Sequence, residues 1–243
     1  MAAPRWVADW LRATPDGPVA LLHACPDVVH LDVAGRCVSI LAAGAPGLPT
    51  GLRTNLPTLS SRTDASPYLG GGTLRWDGRV LETGRIVDVR APRIGPGVLK
   101  ASPAAVKGTP RSRVAGLVAL PDRVTAPTVA SFVGRGEGLT PLGDDVLVGW
   151  LALHRAARVA TPAVDRAVRR CLGRTTTLSA TLLECALGGD LADPVRSHLA
   201  ALGTADERGS RVRLEAWGGS SGLGVAHGID LATRDLLGRE AAA

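Results

Sequence analysis

The chain has 243 residues, 45% of them hydrophobic and 21% charged. That is enough apolar material for a core in one or two domains, which excludes a disordered or fibrous chain. The formal net charge of +6 comes almost wholly from arginine, with lysine only at positions 100 and 107, and just 3% of residues are aromatic; this is a compositional bias with little material for base stacking, and no nucleic-acid partner is expected.

The longest apolar stretch, Val146 to Leu153, is broken by Gly149 and is far shorter than the roughly 20 residues of a membrane span. The first residues reach Asp9 and Arg12 without the continuous apolar stretch of a secretory signal. No membrane partner and a cytoplasmic location are expected. Cys25, Cys37, Cys171 and Cys185 stand singly, without C-x-x-C or histidines at zinc spacing, and read as free thiols.

In chain order, Trp6, Val7, Trp10 and Leu11 share one face of a short helix that ends at Thr14-Pro15-Asp16-Gly17. Val19 to Ala24 is strand material. Val28 to Val33 and Cys37 to Leu41 flank Ala34-Gly35-Arg36 as the arms of a hairpin. A second hairpin turns at Asp77-Gly78, a pair suited to two residues of positive φ, between strands over Thr73 to Trp76 and Arg79 to Glu82. Arg85 to Arg90 alternates as a further strand. Gly44 to Gly72 between the hairpins reads as a long functional loop, and Pro92 to Pro110 as broken by Gly95-Pro96-Gly97 and Gly108-Thr109-Pro110.

Beyond residue 115 the pattern turns helical. Helices are predicted over Asp144 to Arg158, buried on most sides, and over Pro162 to Leu172, Leu178 to Leu187, Pro194 to Leu202 and Gly222 to Leu237. The expected fold is α+β: an antiparallel β-rich part over 1–115 and a helical part over 116–243.

Chemistry concentrates in the run from Gly134 to Asp145, Gly-Arg-Gly-Glu-Gly-Leu-Thr-Pro-Leu-Gly-Asp-Asp, which opens directly onto the most apolar helix. Glycines such as Gly138 and Gly143 allow backbone N–H groups close to a ligand, Thr140 adds a hydroxyl, and a helix start favours an anion. Asp144 and Asp145 can hold Mg²⁺ or orient an amide; the structural alternative makes Asp144 the helix cap and Asp145 a first-turn acid. No Gly-Lys-Ser/Thr follows, so this is not a nucleoside triphosphate loop. Arg174-Thr175-Thr176-Thr177-Leu178-Ser179 and Gly218-Gly219-Ser220-Ser221-Gly222 place hydroxyls before two other helices. If the three starts converge, they form a pocket of N–H donors, hydroxyls and Arg174 around an aspartate pair, suited to a small anion with a planar amide or carboxylate.

Gly138-Leu139-Thr140-Pro141-x-Gly143-Asp144-Asp145, followed by Thr-Thr-Leu-Ser-Ala at Thr176 to Ala180 and by Ser220-Ser221-Gly222, resembles the H-subunit (AllH-like) family of oxamate carbamoyltransferase. Gly35-Arg36-Cys37-Val38-Ser39 is similar to the family's early strand. The resemblance implies a subunit of a multisubunit transferase that exchanges a carbamoyl group between oxalurate and phosphate, giving oxamate and carbamoyl phosphate in purine (allantoin) nitrogen catabolism. Its implied partners are a small anionic substrate and other subunits; no cofactor is firmly implied beyond a possible Mg²⁺. Asp144, Asp145 and Thr140 are the expected catalytic residues, with Gly138, Gly143, Arg174, Thr176, Ser179, Ser220, Ser221 and Gly222 binding substrate.

The chain departs from the family pattern at Leu142, where serine is usual, at Gly219, where histidine is expected, and at Gly224, where an acid is expected. The alternative reading is therefore a non-catalytic structural or regulatory subunit. Asp230 lies farther along the last helix. His23, His30, His154 and His198 read as packing or surface groups, with His227 the histidine nearest a motif.

Overall fold

The computed structural model of the chain describes residues 1–59, 66–95, 97–101, 114 and 116–241. The turn expected at Gly108-Thr109-Pro110 and residue 115, expected to end the β-rich part, lie outside these. Strands in two sheets precede a helical half, an α+β layout. The chain divides into two compact units, Met1–Val89 and Arg90–Ala243.

In the first unit, β1 (Ala2–Pro4) leads into helix α1 (Arg5–Ala13), followed by β2 (Gly17–Pro18), β3 (Ala20–Ala24), β4 (Val28–Val33) and β5 (Arg36–Leu41). Next come β6 (Gly51–Arg53), β7 (Tyr68–Gly70), β8 (Thr73–Trp76), β9 (Arg79–Leu81) and β10 (Arg85–Val87). One sheet has the order β10-β1-β6-β5-β4-β3 and the other β2-β7-β8-β9. Both expected hairpins form. In the first, Ala34 and Gly35 both have positive φ, 51° and 83°, and Arg36 already pairs with Val33, so the turn has two residues and not three. Asp77 and Gly78, at φ 49° and 71°, make the second.

Three expectations need correction. The stretch read as one long loop over Gly44 to Gly72 holds β6 and β7, while residues 60–65 lie outside the described part. β1 was absent from the sequence reading; it pairs parallel with β10 and antiparallel with β6. The strand expected over Arg85 to Arg90 stops at Val87. The core of this unit joins Val7 and Leu11 of α1 to Leu31, Ile40, Leu52, Leu74 and neighbours from both sheets. The indoles of Trp6 and Trp10 donate to the carbonyls of Pro49 and Val33, both at 2.8 Å.

The second unit contains the four-residue α2 (Val98–Ala101), then α3 (Leu142–Ala156), α4 (Pro162–Cys171), α5 (Thr177–Gly188), α6 (Asp193–Ala201), α7 (Glu207–Glu215) and α8 (Ser221–Ala241). As expected of its apolar sequence, α3 is buried at every position but Val148 and Arg155. It packs against α8 through glycines: a Cβ on Gly149 would lie 2.0 Å from the Val225 carbonyl oxygen, and one on Gly228 2.0 Å from that of Val146. Side-chain-free positions are what let the two backbones come so close. α7 went unread because it is polar, burying only Glu207, Ser210 and Leu214. No helix among the described residues is long and apolar enough to cross a membrane, and none of the four cysteines is in a disulfide among the described residues.

Candidate functional site

The glycine run before α3 is folded tightly on itself and on the start of α5. Gly134, Gly136 and Gly138 all have positive φ. A Cβ on Gly134 would lie 2.4 Å from the Arg174 carbonyl oxygen, and one on Gly143 2.1 Å from that of Phe132. With Gly136, whose Cβ would lie 2.8 Å from the Leu142 nitrogen, three glycines of the run are therefore required by close chain approach. The N–H of Gly143 donates to the Arg135 carbonyl at 2.8 Å, and that of Gly222 to the Trp217 carbonyl at 3.0 Å. Gly138 is exposed, with open space about its Cα.

The three helix starts meet. The Thr140 and Ser221 hydroxyls share a hydrogen bond of 2.7 Å, linking the loop to the first residue of α8. Thr176 donates to the Leu139 carbonyl at 2.6 Å while its oxygen caps α5 by accepting from the Ser179 N–H at 3.1 Å. Thr175 donates to Asp144 Oδ2 at 2.5 Å, and the Gly134 N–H donates to Asp144 Oδ1 at 2.9 Å.

Asp144 is thus not the cap of α3. Pro141 occupies that position, and Asp144 and Asp145 both lie in the first turn. Asp144 instead ties the loop to the start of α5 across the fold. Both carboxyls are buried. Burial raises the Asp144 pKa, opposed by hydrogen bonds from Thr175, Gly134 and Ser179. Asp145 is pushed well above the ordinary carboxylate range, chiefly by burial and further by Asp144, against the pull of the Ser221 and Thr140 hydroxyls. Its Oδ2 is buried with no hydrogen-bond partner among the described residues.

The geometry leaves little open to Mg²⁺: both Asp144 oxygens already accept hydrogen bonds, from Gly134 and Thr175, and the Asp145 carboxyl is buried. Among the described residues no group of three or more His, Cys, Asp or Glu is placed to hold a metal. A neutral Asp145 carries an O–H and acts as a hydrogen-bond donor.

A cavity of about 690 Å³ is lined by Arg135, Gly136, Glu137, Leu142 and Ser220, with Leu117 to Ala119; of the expected site residues it takes in Ser220, while Thr140, Asp144 and Asp145 lie outside its lining. Arg135 was not among the residues expected at the site, yet it lines this cavity. Its guanidinium is exposed and has no partner among the described residues, and its place between two glycines of the run was the available signal. Arg174, expected to be the cation, has an exposed side chain outside this lining; its carbonyl packs on Gly134. Leu142 lines the cavity where the family pattern has serine.

Gly224 faces Asp145 directly, since a Cβ there would lie 2.7 Å from the Asp145 Cβ. Glycine at this position lets α8 rest against the aspartate. Asp230 does not replace the missing acid: it accepts two bonds from Arg211, at 2.8 and 2.9 Å. His154 bonds Asp235 at 3.1 Å and the Trp150 carbonyl at 2.9 Å, and His198 bonds Ser210 at 3.0 Å; both are packing groups.

Fold and site together define an α+β protein whose helical unit gathers three helix starts around a buried aspartate pair. The family model described as oxamate carbamoyltransferase subunit AllH matches residues 132–233, from Phe132 before the glycine run to Thr233 in α8. This part of the chain is similar to that family, as its motifs indicated. No curated protein and no solved structure matches the chain.

Proposed function

We propose that the chain is a subunit, or a relative of a subunit, of a carbamoyltransferase that works on oxalurate- or oxamate-like small acids with carbamoyl phosphate in purine or allantoin nitrogen catabolism. The observation that carries this reading is the meeting of Thr140, Ser221, Thr175 and Thr176 around Asp144 and Asp145, together with a cavity large enough for a small acid. The matched family supports the subunit part of it.

In the proposed reaction a phosphate oxygen attacks the carbamoyl carbon of oxalurate, the bond from that carbon to the oxamate nitrogen breaks, and the nitrogen takes up a proton. Negative charge develops on the carbamoyl oxygen, and preorganised donors in a water-poor site stabilise it. Thr140, Ser220 and the open backbone at Gly138 hold the anion. Arg135 at the cavity offsets its charge. The buried Asp145 orients the Thr140 and Ser221 hydroxyls, while Asp144 fixes Thr175, Thr176 and Ser179 in place through the start of α5.

The test is a thermal-shift titration of the chain with phosphate, carbamoyl phosphate, oxalurate and oxamate, repeated with Thr140→Val and Arg135→Ala. Binding to the native state stabilises by about 2.7 kcal/mol at a hundredfold excess over Kd. A shift with at least one of the four that both substitutions weaken is expected; a shift that neither changes sinks the assignment of this site.

A second reading, a non-catalytic subunit, is favoured by one observation: Gly219 and Gly224 stand where the family pattern carries a histidine and an acid. Reconstitution with partner subunits separates the two. Loss of transfer activity in Thr140→Val with Asp145→Ala, in a complex that still assembles, supports catalysis here; unchanged activity supports the scaffold.

A further inference from the structure

At the opposite end of α3 from the aspartate pair, a cleft of about 460 Å³ opens among Arg90, Arg155, Arg158, Thr161, Asp165 and Gly189, all within the second unit. Arg158 lies thirteen residue steps beyond Asp145 along helix and cap, roughly 20 Å at the helical rise. The cleft is therefore distinct from the proposed carbamoyl-transfer site.

Its floor is built and held. Arg155 donates through Nε to the Leu187 carbonyl at 3.0 Å, through Nη1 to the Thr161 hydroxyl at 3.0 Å and through Nη2 to Asp165 Oδ1 at 2.7 Å. Thr161 in turn donates to the same Asp165 oxygen at 2.7 Å. The Arg90 backbone is anchored by its bridge to Asp190 and by Arg196, whose Nε donates to the Arg90 carbonyl at 2.9 Å. The one carboxylate in the lining, Asp165, is thus already spent on Arg155 and Thr161.

Arg158 is the informative residue. The N–H of Val159 donates to the His154 carbonyl at 2.9 Å and that of Arg158 to the Arg155 carbonyl at 3.2 Å, the bond pair of a Schellman motif that closes α3. Arg158 sits at its left-handed position, with φ 57°, which disfavours any residue bearing a Cβ. α5 ends in the same motif on the same cleft, and there the chain uses glycine: Gly189 has φ 85°, with bonds from the Gly189 N–H to Ala186 and from the Asp190 N–H to Cys185. The arginine guanidinium, exposed at the cleft, has no ion-pair or hydrogen-bond partner among the described residues that would repay the strained backbone.

We infer that this cleft is a second ligand site, one that takes a small molecule bearing a carboxylate or phosphate group, with Arg158 as the group that grips the oxyanion. Guanidinium matches such anions in a planar two-point fork. Ala91, Val159, Ala160 and Pro162 supply apolar wall for the ligand body. The volume lies in the range of small-molecule pockets.

The experiment follows the arginine Nε–Hε resonances of the ¹⁵N-labelled chain during titration with inorganic phosphate, succinate and adenosine monophosphate at constant ionic strength. Phosphate tests the bare oxyanion, succinate a carboxylate and the nucleotide a phosphate on a larger body. Arg155 is the reporter, because its Nε–H is held to Leu187. The expected result is a saturable shift of the Arg155 signal with at least one probe, with Kd weakened about tenfold or more in Arg158→Gly and little changed in Thr140→Val. Arg158→Gly relieves the left-handed backbone, so it is expected to melt no lower than the parent chain. No saturable shift with any of the three, or a shift of equal affinity in Arg158→Gly, overturns the proposal. Equal weakening by Thr140→Val also overturns it, since the effect would then come from the other end of α3.

Discussion

Asp144 and Asp145 are neighbours in one helical turn, yet their surroundings give them different physical roles. Asp144 accepts from Gly134 and Thr175, so Asp144→Ala leaves a buried N–H and a hydroxyl without their acceptor and is expected to cost about 1–3 kcal/mol in urea unfolding. Asp144→Asn keeps an acceptor oxygen for Gly134 and should lose less; equal loss in both would mean that these bonds do not matter to stability. Asp145 behaves in the opposite sense. Its native pKa is raised well above 3.8, so as pH rises past 3.8 the unfolded chain releases a proton that the native state still holds, and stability falls. Asp145→Asn has no such loss. Its melting temperature should exceed that of the parent chain at neutral pH, by a margin that shrinks as pH falls toward 3.8; a lower melting temperature at neutral pH refutes the neutral-acid assignment.

At the scale of elements, the unit with the aspartates depends on how closely α3 and α8 approach. Gly228→Ala puts a methyl 2.0 Å from the Val146 carbonyl oxygen, and backbone cannot yield as a side chain can. A loss of about 3 kcal/mol is expected. Gly238→Ala in the same helix meets nothing within 4 Å and should gain up to about 1 kcal/mol from helix propensity. Similar behaviour of the two variants in chemical denaturation would disprove the close-packed crossing. Such contacts explain what could be read in advance. α3 was legible because nearly every residue is apolar, and the Asp77-Gly78 hairpin because its turn chemistry is local. β1 and β6, three residues each, owe their existence to partners far along the chain, and α7 has too few apolar residues to announce a helix.

For the molecule as a whole, buried neutral histidines in both units set the acid response. His30 in the first unit and His198 in the second are each lowered from 6.5 to about 4, in both cases chiefly by burial. The unfolded chain takes up a proton near 6.5 that the native state refuses until about 4, so stability is lost as pH falls through that window, up to about 3 kcal/mol for each residue. The buried aspartates act oppositely, which calls for a variant that isolates one group. His198→Asn should make the fall in the urea midpoint between pH 6.5 and 4 shallower; an unchanged slope would remove His198 from the account. Cys37, beside His30 and Ser39, is pushed up to about 12 by burial and stays a thiol throughout, with a packing role.

The sequence by itself determined the α+β class, the two hairpins, the burial of α3 and the three segments proposed for the site. Each of these depends on periodicity or turn chemistry within a short window, and the three site segments carried their glycines and hydroxyls openly. Only the tertiary structure decided that those segments meet, that Asp144 serves a threonine 31 residues away in sequence rather than its own helix end, and that Arg135 rather than Arg174 lines the cavity. It also decided that Asp145 is driven toward the neutral acid. Burial and long-range hydrogen bonds are properties of chain segments brought together by folding, and no local pattern of residues encodes which distant partner will arrive.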